Sequence, residues 1–284
     1  VLKKGKVVYM VLHDNRQLFM LGIWNLKTGK TDLYPVPSDL KNDFSLFGMR
    51  EGFMPVRPCV SWHTNGKLIA LATINGNIII FSLDEKKWSK LEDVIPASAR
   101  GLAIAGGRLY VLSSQKGYIG YENYLSSFDF NGKNYKINFS SARSSKKHEL
   151  EKLTCIPESL SAISDSELVF FMTWTKPDSA VFRYDINSDC FERICILPAP
   201  ATKGRMYQQD MTLYVQTYGH GERVYNVNPV SKSSECVLIQ DKSRHKLNLK
   251  DNFVRTDTNW ALQGPFVFTD RFIWSSWYKP AVVN

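Results

Sequence analysis

Long apolar runs are missing from this 284-residue chain. Nothing approaches the roughly 17 residues that a membrane-spanning helix needs, and no basic segment leads into an apolar core, so neither a membrane span nor a signal peptide is expected. The chain opens on Val1 and not on Met, which leaves room for an upstream segment and leaves the compartment open. Cysteine is scarce and unpatterned: Cys59, Cys155, Cys190, Cys195 and Cys236 form no CxxC pair. That argues against a zinc ribbon or a dense disulfide frame and for small buried hydrophobes. The histidines, His13, His63, His148, His220 and His245, show neither HxH nor HExxH spacing, so no metal or other cofactor is expected. There is no GxSxG nucleophile motif and no glycine-rich loop leading into a helix. No RNA-binding module is legible either, and nucleic acid is not an expected partner.

What is present is a core and a repeat. Hydrophobic residues make up 44% of the chain and aromatics 13%, enough for a globular interior, and charged residues stand at an ordinary 22%. Between Asn65 and Leu112 a phrase recurs: Gly66-Lys67-Leu68-Ile69-Ala70 returns as Gly107-Arg108-Leu109-Tyr110-Val111, with two apolar strands, an acidic turn and a tryptophan strand between. A period of about 40 residues is that of four-stranded propeller blades. Four such units read in succession, the first being Cys59–Trp62, Leu68–Thr73, Ile78–Leu83 and Trp88–Leu91. The others start near Gly101, Leu160 and Arg205, without helical crossovers. Asn75-Gly76 and Asn131-Gly132 predict type I′ hairpin turns, in which both residues take positive φ. Residues 36–58 read as a long excursion between blades. Three strands precede it, and two, Pro265–Phe268 and Arg271–Ser276, close the chain. Those five are one more than a single blade shared by both chain ends would use, so either one strand is misread or the chain is a piece of a longer one.

The expected fold is therefore all-β, a β-propeller of four-stranded blades forming one domain over residues 1–284, with six blades and five or seven as the alternatives. Ala105-Gly106-Gly107-Arg108-Leu109-Tyr110 resembles the double-glycine strand of kelch repeats. Phe182-Arg183-Tyr184-Asp185 with Phe191, and Leu83-Asp84 with Trp88, resemble the later acidic and aromatic part of that repeat. The kelch resemblance implies a propeller; it implies no one function, because such propellers serve as scaffolds, ligand binders and enzymes. Tyr9, Tyr110, Phe130, Tyr184 and Tyr225 are assigned to packing between blades.

In a propeller the loops between second and third strands and those between blades share one face. The first set gathers aromatic and polar residues: His13 and Arg16; Tyr118, Tyr121 and Tyr124; Trp174 with Lys176; Tyr218 with His220 and Glu222; Trp277 with Lys279. Exposed rings beside cationic or amide groups suit stacking and hydrogen bonding to sugars, peptides or aromatic ligands. The inter-blade segments 140–157 and 241–258 concentrate positive charge, including Lys146, Lys147, Arg244 and Lys246, in a chain of formal net charge +9. They suit an anionic partner, or are solvated loops that keep the protein soluble. Catalysis has little support, because turn acids such as Asp84 and Asp185 are expected to bond their own backbone. The reading is non-catalytic recognition of a protein or glycan through this loop face. The alternative is a carbohydrate-active enzyme with its carboxylates or a metal in a central funnel.

Overall fold

A computed structural model describes residues 6–12, 18–25, 27–44, 61–73, 75–95, 98–116, 121–140, 156–173, 179–197, 201–209, 212–219, 222–241, 246–249, 267–268, 272–275 and 280–282. Among them the chain is all-β, save one 3-10 turn, and divides into two compact units, Val1–Lys147 and His148–Asn284.

The first unit holds three antiparallel sheets in chain order. The first is β1 (Lys6–Leu12), β2 (Leu18–Asn25) and β3 (Thr31–Pro35). The second is β4 (Ser61–Thr64), β5 (Leu68–Ala72), β6 (Ile78–Ser82) and β7 (Lys87–Leu91). The third is β8 (Ser98–Ala105), β9 (Arg108–Lys116), β10 (Tyr121–Phe128) and β11 (Lys136–Ser140). Their strands pair with chain neighbours, as expected of hairpin-connected blades.

The second sheet shows why the repeat is so apolar. Nearly every residue of β5 and β6 is buried, a continuous run where a half-exposed strand would alternate with polar residues. The alternation is present but divided between two cores. Ile69, Leu71, Ile79 and Phe81 pack with Val8, Leu21 and Ile23 of the first sheet. Ala70, Ala72, Ile78 and Ile80 pack with Leu102, Ile104, Leu109, Val111 and Phe128 of the third. A strand covered on both faces has no position at which a polar side chain stays solvated.

Within the first sheet, Tyr9 stands directly opposite Gly22. A Cβ on Gly22 would lie 2.2 Å from the Tyr9 ring, so the missing side chain is what lets the ring lie over the strand.

The stretch after β3 is more than a connection. Val36, Leu40 and Phe44 are buried in the core between the first two sheets. The 3-10 turn Lys41–Phe44 brings Asp43 to Asn77, whose amide donates to it at 2.6 Å, and to Lys90 at 3.1 Å. Asn77 in turn accepts from the backbone N–H of Asp93 at 3.0 Å. Residues 45–58 of the expected excursion lie outside the described residues. Asp43→Ala removes the acceptor of a buried amide and is expected to cost about 1–3 kcal/mol in urea denaturation. An unchanged midpoint would mean that the turn is not held this way.

The second unit also has three sheets. The fourth of the chain is β12 (Ile156–Ala162), β13 (Glu167–Thr173), β14 (Ser179–Asp185) and β15 (Cys190–Leu197). The fifth is β16 (Ala201–Gln209), β17 (Thr212–Gly219), β18 (Glu222–Asn228), β19 (Ser233–Asp241) and β20 (Lys246–Leu249). The sixth is β21 (Val267–Phe268), β22 (Phe272–Ser275) and β23 (Pro280–Val282). Val169, Phe171 and Val181 of the fourth sheet pack with Leu213, Val215, Tyr225 and Val227 of the fifth.

Four expectations need correction. First, segment 241–258 is expected to be loop throughout, yet Lys246–Leu249 forms β20 on the edge of β19; a lysine and an asparagine alternating with two leucines make a strand with no solid apolar run. Second, the chain closes with three strands, not two, because β23 begins on Pro280, where the missing N–H suits an edge. Among the described residues the first and last triplets each form a three-stranded sheet within their own unit. Third, Asn75 and Asn131 are not among the residues with positive φ; only Gly76 (84°) and Gly132 (76°) are. Asp129 N–H donates to Lys133 C=O and Gly132 N–H to Asp129 C=O, a three-residue loop in which one left-handed residue suffices. The turn with two positive φ values is Gly106-Gly107 (53° and 72°), joining Ala105 to Arg108. Fourth, the acidic turn after β6 is held by Ser82 and not by Asp84: Ser82 Oγ accepts from Glu85 N–H at 3.2 Å.

That last correction exposes a finer repeat. The residue that ends β2, β14 or β18 caps the turn that follows: Asn25 accepts from Lys27 and Thr28 N–H, Asp185 from Asn187 and Ser188, and Asn228 from Val230 and Ser231. Ser82 is their counterpart. Four residues on, Gly29, Lys86, Asp189 and Lys232 all take positive φ. These side-chain bonds replace backbone bonds that a tight turn cannot make. They also hold the Asp185 carboxyl below its usual range. Just before the cap, aromatic pairs face each other across two of the hairpins: Phe81 with Trp88 at 4.8 Å and Tyr184 with Phe191 at 4.5 Å between centroids.

Candidate functional site

The loops expected to form a binding rim are shorter than their sequence suggests. β9 runs on to Lys116 and β10 starts at Tyr121, so the segment Gln115–Asn123, read as loop, is strand at both ends. Likewise β17 reaches Gly219 and β18 starts at Glu222. Tyr121 therefore pairs with Lys116, Tyr218 with Lys203 and Lys246 with Asp241, as ladder residues and not loop residues. Extended hairpins keep satisfying backbone groups that a loop would leave to water. His13, Arg16, Tyr118, Trp174, Lys176, His220, Trp277 and Lys279 lie outside the described residues, as do Lys146, Lys147 and Arg244. The packing residues are placed: Tyr110, Tyr184 and Tyr225 are buried, Phe130 packs at the margin of the core, and Tyr9 covers Gly22.

At the end of the β9–β10 hairpin the structure assembles a polar cluster. Gln115 and Glu122 are direct partners across the ladder, and Tyr124, two residues on, shares their face. The Gln115 amide donates to Glu122 Oε2 at 2.8 Å and to the Tyr124 hydroxyl oxygen at 3.0 Å. The Tyr124 hydroxyl donates to the same Oε2 at 2.7 Å. A carboxylate oxygen only accepts, so the amide must turn its nitrogen toward it. The bond from Tyr124, then that from Gln115, lowers the Glu122 pKa, opposed by partial burial. Glu122 is therefore an anion at neutral pH.

Beneath the cluster lies a row of hydroxyls. Ser113 stands opposite Tyr124 on one side and Ser140 on the other, all on one face of the third sheet. Ser113 is 0% and Ser140 7% exposed, and the Oγ of each has no hydrogen-bond partner among the described residues. Buried hydroxyls without partners are uncommon, since desolvation is uncompensated.

Other carboxylates of lowered pKa have evident structural partners. Lys232, then Arg183, lowers Glu192, and Arg183 also bonds Glu167 at 3.2 Å. Glu122 differs: both its described partners are neutral, so its charge is uncompensated among the described residues. Tyr124 was noted in the sequence as one of three loop tyrosines; Gln115 and Glu122 were missed. The available signal was polar residues spaced by two, Ser113 and Gln115 before the turn and Glu122 and Tyr124 after it, in strands otherwise apolar. Among the described residues no group of three or more His, Cys, Asp or Glu side chains is arranged to hold a metal. No helix among them is long and apolar enough to cross a membrane.

No family model matches the chain, and no curated protein does. Among solved structures it is similar to a prolyl endopeptidase from a structural and mechanistic study of two such enzymes, with a TM-score of 0.51 and 10% sequence identity. The match covers 96% of this chain and 39% of that one, so the chain spans about two fifths of that protein's length. At this identity the likeness is one of fold: an all-β, multi-sheet architecture resembling a propeller domain.

Proposed function

We propose that the chain is a kelch-like β-propeller of six blades, one domain over residues 1–284, that binds a protein or glycan ligand without catalysis. The ligand is met on the loop face reached by the β9–β10 hairpin. The single observation that carries this reading is the Glu122 anion, held by Gln115 and Tyr124 at an accessible hairpin end over buried hydroxyls that have no partner among the described residues. Six sheets in chain order, the turn cap recurring at the ends of β2, β6, β14 and β18, and the Phe81–Trp88 and Tyr184–Phe191 pairs support the propeller reading. The positive charge concentrated in the sequence around Lys146, Lys147, Arg244 and Lys246 suits an anionic partner as well.

The test is an array of glycans, acidic polymers and peptides probed with the full chain at low and moderate salt. One ligand class retained at moderate salt and weakened at least tenfold by Glu122→Gln is the expected result. Binding that ignores this substitution sinks the assignment of the site.

A further inference from the structure

We infer that the Gln115–Glu122–Tyr124 cluster is a guanidinium site, taking an arginine side chain presented by a partner protein; this rests on the recognition function proposed above and narrows it.

The argument is an account of donors and acceptors. The cluster has three polar hydrogens: two on the Gln115 amide and one on the Tyr124 hydroxyl. The two amide hydrogens go to Glu122 Oε2 and to the Tyr124 oxygen, and the hydroxyl hydrogen goes to Glu122 Oε2. All three are spent inside the cluster. Both bonds to Glu122 converge on Oε2, so Glu122 Oε1 and the Gln115 carbonyl oxygen are bonded by no described residue. The outward surface therefore consists of acceptors and carries a full negative charge.

Ligand chemistries divide sharply against such a surface. An anion is repelled. A sugar hydroxyl can donate, but its own oxygen then finds no donor. A guanidinium has five donors and no acceptor, and its planar fork suits two neighbouring acceptor oxygens. It is also weakly hydrated, so it loses less on leaving water than an ammonium does. Gln115 is exposed and Glu122 and Tyr124 half-buried, so the pair of oxygens is within reach of an incoming side chain. The hydroxyls of Ser113 and Ser140, flanking Tyr124 on the same face, add acceptors beneath the site that a donor-rich group would satisfy.

The experiment titrates the full chain with acetyl-Gly-Arg-Gly-amide and with the same peptide carrying citrulline, a neutral isostere of arginine, following backbone amide shifts. The arginine peptide is expected to bind at least tenfold more tightly at low salt, and Glu122→Gln, with its melting temperature unchanged, should erase the preference. Glu122→Asp, which keeps the charge but withdraws it by one methylene, should retain part of it. Equal binding of the two peptides, or a preference that survives Glu122→Gln, overturns the assignment. If neither peptide binds while an array ligand is still lost on Glu122→Gln, the guanidinium site falls and the recognition function stands. Silence of peptides and array alike removes both.

Discussion

Acidifying the protein from pH 6.5 to pH 4.5 is expected to weaken its fold markedly, and His63→Asn should abolish most of that dependence. His63 lies on β4, and its Nδ1 accepts a hydrogen bond from the backbone N–H of Ile104 at 3.2 Å. Two residues earlier Ser61 Oγ accepts from Leu102 N–H at 3.1 Å. These side chains satisfy N–H groups of β8, which is the edge of its sheet among the described residues. To accept at Nδ1 the imidazole must be neutral, with its proton on Nε2. Desolvation favours the same form and lowers the pKa from 6.5 to about 4.

The sign follows. Between about pH 4 and 6.5 the unfolded chain binds a proton at His63 that the folded chain does not, so stability falls as pH falls through that window. At about 1.4 kcal/mol per pH unit, the full shift corresponds to about 3–4 kcal/mol, present in full above pH 6.5 and lost by about pH 4. The carboxylates Glu122, Asp185 and Glu192 act in the same direction, but below their unfolded values of 4.5, 3.8 and 4.5. Over the interval from 6.5 to 4.5 histidine therefore dominates, the carboxylates entering only at its lower end. Asparagine can offer an amide oxygen to the Ile104 N–H and does not titrate, so Asn at 63 keeps the bond and removes the proton. Denaturant titrations of both proteins across this interval decide the matter: parallel pH profiles would show that His63 is not the group responsible.

A second large loss is expected from Phe81→Ala. Phe81 is 0% exposed and sits where three elements meet. Its ring lies 4.8 Å from Tyr34 of β3 and 4.8 Å from Trp88 of β7, centroid to centroid. It shares a core with Phe44 of the 3-10 turn and with Val8, Leu21 and Ile23 of the first sheet. Truncation removes the transfer free energy of a ring and leaves a cavity that close-packed neighbours cannot fill. The expected cost is about 3–5 kcal/mol, a large share of the stability of an ordinary domain. Trp24, 38% exposed on β2, serves as the comparison; Trp24→Ala should cost far less. Equal losses for the two variants in urea would mean that the first two sheets do not meet through Phe81.

Strand positions were legible to within a few residues for most of the chain. Apolar β-branched and aromatic runs bounded by Asn, Asp and Gly are local signals, and β5, β6, β13 and β14 carry them strongly. β20 and β23 were missed because short edge strands need no apolar run. A dipeptide alone does not decide the chemistry of a turn. Asn-Gly fits both a two-residue and a three-residue loop, and the choice between them depends on where the flanking strands pair. The rim was legible as a concentration of aromatic residues, but not its polar centre. Gln115 and Glu122 are unremarkable polar residues until the ladder sets them side by side.

By itself, the sequence determined that this protein is built of antiparallel hairpins in repeating units, because alternation and turn preference act within a few residues of one another. It also determined that Tyr110, Tyr184 and Tyr225 belong to packing, since their places recur within apolar strands. Only the tertiary structure decided that Asp43 closes on Asn77 and Lys90, that His63 must stay neutral beneath Ile104, and that Glu122 spends its neighbours' hydrogens and keeps its charge. Each of these depends on register or on one sheet's packing against the next. The energy of a polar group follows from which partner stands within 3 Å of it, and no local pattern contains that distance.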